Sequence, residues 1–193
     1  MNIEKIKEKY PVGTKIELVN MEGESHMEPG LIGEVTDVDD IGQIHMKWEN
    51  GSSLALNTEV DSFKKKISVL LVQPGKYPKM IEIEDSLEAM QKVVDGYIEE
   101  YMPFTDDVAI VCNEEGKMRG LPLNRAITDE NGYPLDIIAG DFFVAYAPAE
   151  AENFLSLPKN LAEKYEKVFK TPQKFYSDGN GIHVQPSEPY EVE

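Results

Sequence analysis

Gln-Ile-His-Met-Lys-Trp-Glu-Asn-Gly-Ser, residues 43–52, decides how the first third of this chain folds. Ile44, Met46 and Trp48 alternate with His45, Lys47 and Glu49, the period of a strand with one buried face. Asn50-Gly51 then gives the strongest hairpin signal in the sequence, because both central residues of a type I′ turn need positive φ. Ser52–Asn57 is the expected returning strand. Upstream, Thr14–Met21 and Leu31–Val38 read as two more strands, and Asp39-Asp40-Ile41-Gly42 turns the second into Gln43–Trp48. Ile3, Ile6 and Tyr10 have the spacing of a short amphipathic helix that Pro11 stops. Four or five short strands in so short a segment bury a core only by curling, so residues 1–62 are expected to form a small SH3-like β-barrel with an N-terminal helix. Alternation places Trp48 in its core; the alternative is a peptide groove shared with Tyr10.

Phe63-Lys64-Lys65-Lys66 reads as a solvated joint. Beyond it, Ile67–Val72 is apolar enough for a central strand, Pro74-Gly75 ends it, and Lys79–Glu84 reads as an edge strand. Asp85 and Glu88 fit a capping box for a helix carrying Leu87, Met90 and Val94 on one face, with Gly96 as its stop. Tyr97–Met102 and Val108–Cys112 resume β structure, and Ile137–Tyr146 is a further long apolar run. Ser156 opens a second helix with Pro158 in its first turn and Leu161, Tyr165, Val168 and Phe169 on its buried face. Residues 67–171 are therefore expected to be an α+β domain with a mixed or antiparallel sheet and two helices. Residues 172–193 read as a weakly structured acidic tail with one candidate strand, Ile182–Gln185.

Composition bounds the partners. At 193 residues, with 41% hydrophobic content, the chain can bury a core, and no stretch is apolar for the roughly 20 residues of a membrane span. A net charge of -17 repels nucleic acid, whose binding needs clustered cations. The N-terminus is charged, without the apolar core of a signal peptide, and the single Cys112 lies within an apolar run. A reducing cytoplasm is the expected compartment.

Several stretches carry a resemblance. Tyr10–Leu18, Pro29–Val35 and Asp39–Ser52 resemble the family described as domain of unknown function 4314. Val72–Lys76, Asp95–Glu99, Asn113–Lys117, Gly120–Ala126 and Ile137–Phe143 resemble domain of unknown function 3846, with the motifs recurring in order. Both families resemble proteins carried by phages and conjugative elements of bacteria, so the resemblance implies a mobile-element setting. It implies no activity, cofactor or catalytic residue.

The densest polar segment is Asn113–Arg125, which holds two carboxylates, three cations and two amides. Asn113-Glu114-Glu115-Gly116-Lys117 reads either as a tight turn, with Gly116 at positive φ, or as a site where the Asn113 amide fixes a ligand beside a glutamate. Asn124-Arg125 offers an amide and a five-donor fork suited to carboxylate or phosphate. Alternatively Arg125 is tied to a structural carboxylate, Asp136 or Asp141. Asp141 interrupts an apolar run, and Arg125 is its expected partner, since a buried carboxylate must be paired. The candidate binding residues are Asn113, Glu114, Glu115, Lys117, Asn124, Arg125 and Asp141. No catalytic or metal set is expected: His26, His45 and His183 lack ligand spacing, Cys112 has no nearby histidine, and no phosphate-cradling loop occurs.

These residues point to a non-enzymatic accessory protein that binds a host protein or a small anionic ligand through Asn113–Arg125, without cofactor, nucleic acid or membrane. One alternative is an acidic DNA mimic that inhibits a host DNA-binding or defence protein. Another is a hydrolase that uses Glu114 or Glu115 as base.

Overall fold

The computed structural model describes residues 3–129, 131–179 and 181–191. The chain is α+β, with three helices and mainly antiparallel strands, and it divides into two compact units, Met1–Ile67 and Ser68–Glu193. No helix among the described residues is long and apolar enough to cross a membrane.

The first unit contains α1 (Ile3–Lys9), β1 (Lys15–Asn20), β2 (Ile32–Val38), β3 (Gln43–Trp48), β4 (Leu56–Asn57) and the first half of β5 (Ser62–Val72). Its strands pair antiparallel in the order β4-β3-β2-β1-β5. No ladder joins β4 to β5 among the described residues, so the closed barrel expected from the strand count is not formed. One reason lies after Asn50-Gly51. Only Gly51 takes positive φ (84°); the Asn50 side chain instead accepts from the Ser52 amide, and no type I′ turn results. The returning strand starts late and shrinks to Leu56-Asn57, opposite Ile44 and Gln43. The alternation itself holds, because Ile44, Met46 and Trp48 are all buried. Trp48 is core, its indole N–H satisfied by the Leu54 carbonyl at 2.8 Å. Across the ladder it faces Gly33, whose missing side chain leaves room for the indole.

The second unit adds β6 (Lys79–Glu84), α2 (Leu87–Val94), β7 (Ile98–Tyr101), β8 (Val108–Asn113), β9 (Leu123–Thr128), β10 (Pro134–Ala139), β11 (Phe142–Tyr146), α3 (Lys159–Val168), β12 (Gln173–Ser177) and β13 (Ile182–Pro186). The second half of β5 pairs with β11, then follow β8 and β7, and β6 lies on the other side of β5. β8 is buried along its whole length, so both sheet faces are covered. Val108 and Ile110 pack with Tyr165 and Phe169 of the α3 region, while α2 covers the other face of β8 and β11.

Several local expectations shift. Ser86, not Asp85, caps α2, accepting from the Ala89 amide. Asp95, not Gly96, takes the left-handed cap conformation (φ 56°). The run Ile137–Tyr146 is two strands in two different sheets, because Gly140 (φ 79°) turns the chain between β10 and β11. Ser156 does not open α3: its hydroxyl accepts from the Ser68 amide, and Pro158 stands at the cap. Val168 is exposed, and Ala162 takes the buried place beside Tyr165 and Phe169. The residues read as a weakly structured tail contain the β12–β13 hairpin, whose Tyr176 stacks on His183.

Gly33→Ala places a Cβ about 2.5 Å from the Trp48 ring, closer than real contacts allow. It is expected to destabilise the first unit by roughly 1–3 kcal/mol, the cost of overpacking. Urea denaturation followed by the fluorescence of Trp48 measures it, and an unchanged midpoint would contradict the packing described.

Candidate functional site

An α-helix leaves its last four carbonyls without intrahelical donors, and their partial negative charge gathers at the C-terminus. Both helices of the second unit end against the segment Asn113–Arg125. Asn113 sits at the end of β8, where its side-chain N–H group donates to the carbonyls of Val94 (3.1 Å) and Asp95 (2.8 Å) at the end of α2. Its side-chain oxygen accepts from the Glu115 amide at 2.9 Å and so fixes the turn that follows. Arg119 reaches the same place, donating to the Asp95 carbonyl and pairing with the Asp95 carboxylate. Gly96 is required here, since a Cβ would strike the Asn113 amide.

Arg125 does the corresponding work for α3. It is 1% exposed, and its Nε donates to the carbonyl of Phe169, the C-terminal cap of the helix, at 3.1 Å. Nη1 donates to the carbonyl and side-chain oxygens of Asn124, and Nη2 to the Lys76 carbonyl at 2.8 Å. Four carbonyl-type oxygens thus surround a buried guanidinium with no carboxylate in salt-bridge contact among the described residues. Burial pulls its pKa down to about 10, so at neutral pH it remains charged. Asn124 extends the chain of bonds by donating to the carbonyls of Val72 (2.9 Å) and Gly140 (2.7 Å). One connected network therefore links β5, the β5–β6 connection, β9, the β10–β11 turn and α3.

The expected Arg125–Asp141 pair is not present. Asp141 is only half-buried and accepts from the Gln73 amide at 2.7 Å, which satisfies it without a cation. The other proposed partner, Asp136, is paired with Lys117. Gly116 does not take positive φ; it needs its missing side chain because a Cβ would meet the Ala139 carbonyl. The turn it belongs to is closed by Arg119 donating its amide to Glu115, and positive φ occurs at Gly120 instead. Glu114 and Glu115 are exposed on this turn.

The candidate residues are therefore near one another in sequence but do not converge on one cavity. Asn113, Asn124 and Arg125 point into the protein, Lys117 and Asp136 form a surface pair, and Asp141 stands on the β10–β11 turn. Sequence reading missed Arg119 and Gln73. Arg119 was one of the three cations of the polar segment, but nothing in the sequence paired it with Asp95.

Other titratable groups have structural settings. Asp106 is held below its usual range by the Lys164 ammonium and the Tyr165 hydroxyl. Burial raises the Cys112 thiol from 9.0 to about 11, with Glu99 nearby adding to the effect. No group of three or more His, Cys, Asp or Glu among the described residues is arranged to hold a metal ion.

The chain belongs to the family described as a domain of unknown function, DUF3846, whose model matches residues 66–170; the model of a second, DUF4314, matches residues 1–66. No curated protein and no solved structure matches the chain.

Arg125→Met removes the donors to Phe169, Lys76 and Asn124 at once and is expected to destabilise the second unit by roughly 2–5 kcal/mol. Glu114→Gln, a solvated position, should stay within about 0.5 kcal/mol. Urea denaturation compares them, and an Arg125→Met protein as stable as wild type would contradict the assignment. Cys112 should resist iodoacetamide at pH 8.5 until the chain unfolds. Between pH 9 and 11 the unfolded chain loses a thiol proton that the folded one keeps, so stability falls across that window. Cys112→Ala should lessen the fall; rapid alkylation of the native protein would show the thiol is not buried.

Proposed function

We propose that this chain is a non-catalytic accessory protein of a phage or conjugative element, and that it holds an apolar segment of a host protein against the outer side of Asn113–Arg125. The observation that supports this is a cleft of about 620 Å³, floored by Gly120, Leu121 and Leu123 from that segment. Pro134, Leu135 and Ile137 of β10 and Ile182 of β13 complete its walls. The size lies within the range of ligand and side-chain pockets. Leu135 and Ile182 are 49% and 56% exposed, so the cleft presents apolar side chains to solvent.

Charge argues for a protein segment over a small anion. The cleft's two charged residues, Lys117 and Asp136, are paired with each other, so its lining is close to neutral. Arg125, the cation best suited to an anion, directs its bonded N–H groups at carbonyls. Glu114 and Glu115, the bases a hydrolase reading would need, lie outside the cleft lining.

Leu135→Glu and Ile182→Glu place a charge in the cleft without touching either helix cap. Each should reduce capture of a host protein from bacterial lysate at least tenfold, relative to wild type, with melting temperature unchanged within a few degrees. Native mass spectrometry reads any small molecule retained. Equal capture by both variants, or a retained anion that survives them, would overturn the reading.

A further inference from the structure

The sheet of the second unit is covered unevenly. The α3 region closes the face on which Tyr101 lies, and α2 closes the other over β8 and β11, whose residues are almost all buried. With only eight residues, about 12 Å of helix, α2 leaves that second face open over β7. There a groove of about 700 Å³ lies between the first turn of α2 and the loop that follows β11. Met90, Phe154 and Ile98 give it an apolar floor. Leu87, whose spacing with Met90 and Val94 placed it on the buried face, stands at the rim 53% exposed, and Met102 is 47% exposed.

Glu100, Asp107 and Glu152 line the same groove, exposed and outside any ion pair among the described residues, and no lysine, arginine or histidine lines it. Glu100 stands between Ile98 and Met102 on one side of β7, so carboxylates and apolar groups face the occupant together. The occupant therefore lies over the sheet and presents aliphatic and cationic groups on one side. Strand N–H and C=O groups point within the plane of the sheet, so β7 offers it no backbone partner. An α-helix meets these conditions, because it bonds its own backbone internally and gathers residues three and four apart on one face. Helices also close the rest of this sheet. We propose that the groove docks an amphipathic basic helix of a partner protein, laid over β7 beside the first turn of α2. Its aliphatic stripe packs on Leu87, Ile98 and Met102, and the lysines or arginines flanking the stripe meet Glu100, Asp107 and Glu152.

A second copy of this chain is a poor occupant. Ile6 of α1 and Tyr165 of α3 are buried within their own units, so neither helix has its apolar face to offer. Two molecules that each carry a net charge of -17 also repel one another. This groove shares no lining residue with the cleft at Leu135, so the two assignments stand or fall separately.

The test uses the full chain and three fluorescein-labelled fourteen-residue peptides of lysine, leucine and alanine. The first places its leucines on one helical face with lysines on both flanks. The second has the same composition with the leucines spread around the helix, and the third is the first with a proline at its centre. Anisotropy at 150 mM salt is expected to show the first binding at least tenfold tighter than either of the others, and circular dichroism to show it helical when bound. Leu87→Asp and Glu100→Arg, both at exposed positions, should each weaken it at least tenfold with melting temperature unchanged within a few degrees, while Leu135→Glu leaves it as tight as wild type. Equal binding of all three peptides would mean that the acidic surface takes any cation, and tightest binding of the proline peptide would mean an extended occupant; either overturns the proposal. So would no binding of the first peptide, indifference to Leu87→Asp and Glu100→Arg, or a dimer in sedimentation that Leu87→Asp dissociates.

Discussion

A buried guanidinium held by carbonyls, with no carboxylate partner among the described residues, is the constraint on which the second unit depends. Taking Arg125 out of water costs several kcal/mol unless its N–H groups are satisfied and its charge is opposed. The protein meets both needs with carbonyls. The Phe169 carbonyl lies at the negative end of α3, while the Lys76 and Asn124 carbonyls and the Asn124 side-chain oxygen complete the fork. Carbonyls alone oppose the charge only partly, which is why burial still draws the pKa down to about 10. The arrangement fixes where α3 ends relative to β9, and Asn124 carries the constraint on to Val72 and Gly140.

Asn113 and Arg119 repeat the solution on a smaller scale at α2, where Asp95 adopts a left-handed backbone that leaves carbonyls turned outward. Thirteen residues between β8 and the first part of β9 therefore serve two helix ends on opposite faces of one sheet. That accounts for the density of amides and cations in this segment. It also changes where a partner is to be sought. With Asn113, Asn124 and Arg125 directed inward, the cleft on the outer side is lined by Leu121, Leu123 and aliphatic side chains of β10, and the partner proposed for it would meet an apolar lining.

Periodicity revealed the elements better than it revealed their partners. The strand Gln43–Trp48, the buried strand Val108–Cys112 and both helices of the second unit were legible because their apolar residues recur at the strand or helix period. Turn chemistry was less legible. Asn50-Gly51 permits several turns, and the Asn50 side chain decided among them by bonding to Ser52. Gly116 and Gly120 lie four residues apart in one turn, and only packing against the Ala139 carbonyl separates the one that needs space from the one that needs positive φ. The Arg125–Asp141 pairing failed because sequence offers carboxylates as partners and is silent about carbonyls. A helix C-terminus becomes a counter-charge only once the fold has brought it there. The exposed Leu87 was likewise hidden by a helical spacing that would equally suit a core residue.

Native-state hydrogen exchange of α2 and α3 tests most directly whether Asn113–Arg125 exists to hold the helix ends. Under conditions where amides exchange by local opening, Asn113→Ala should raise exchange at least tenfold in the last turn of α2 and leave the last turn of α3 as protected as in wild type. Arg125→Lys, which keeps the charge but not the fork, should do the reverse. Unchanged protection at both helix ends in both variants would contradict the account.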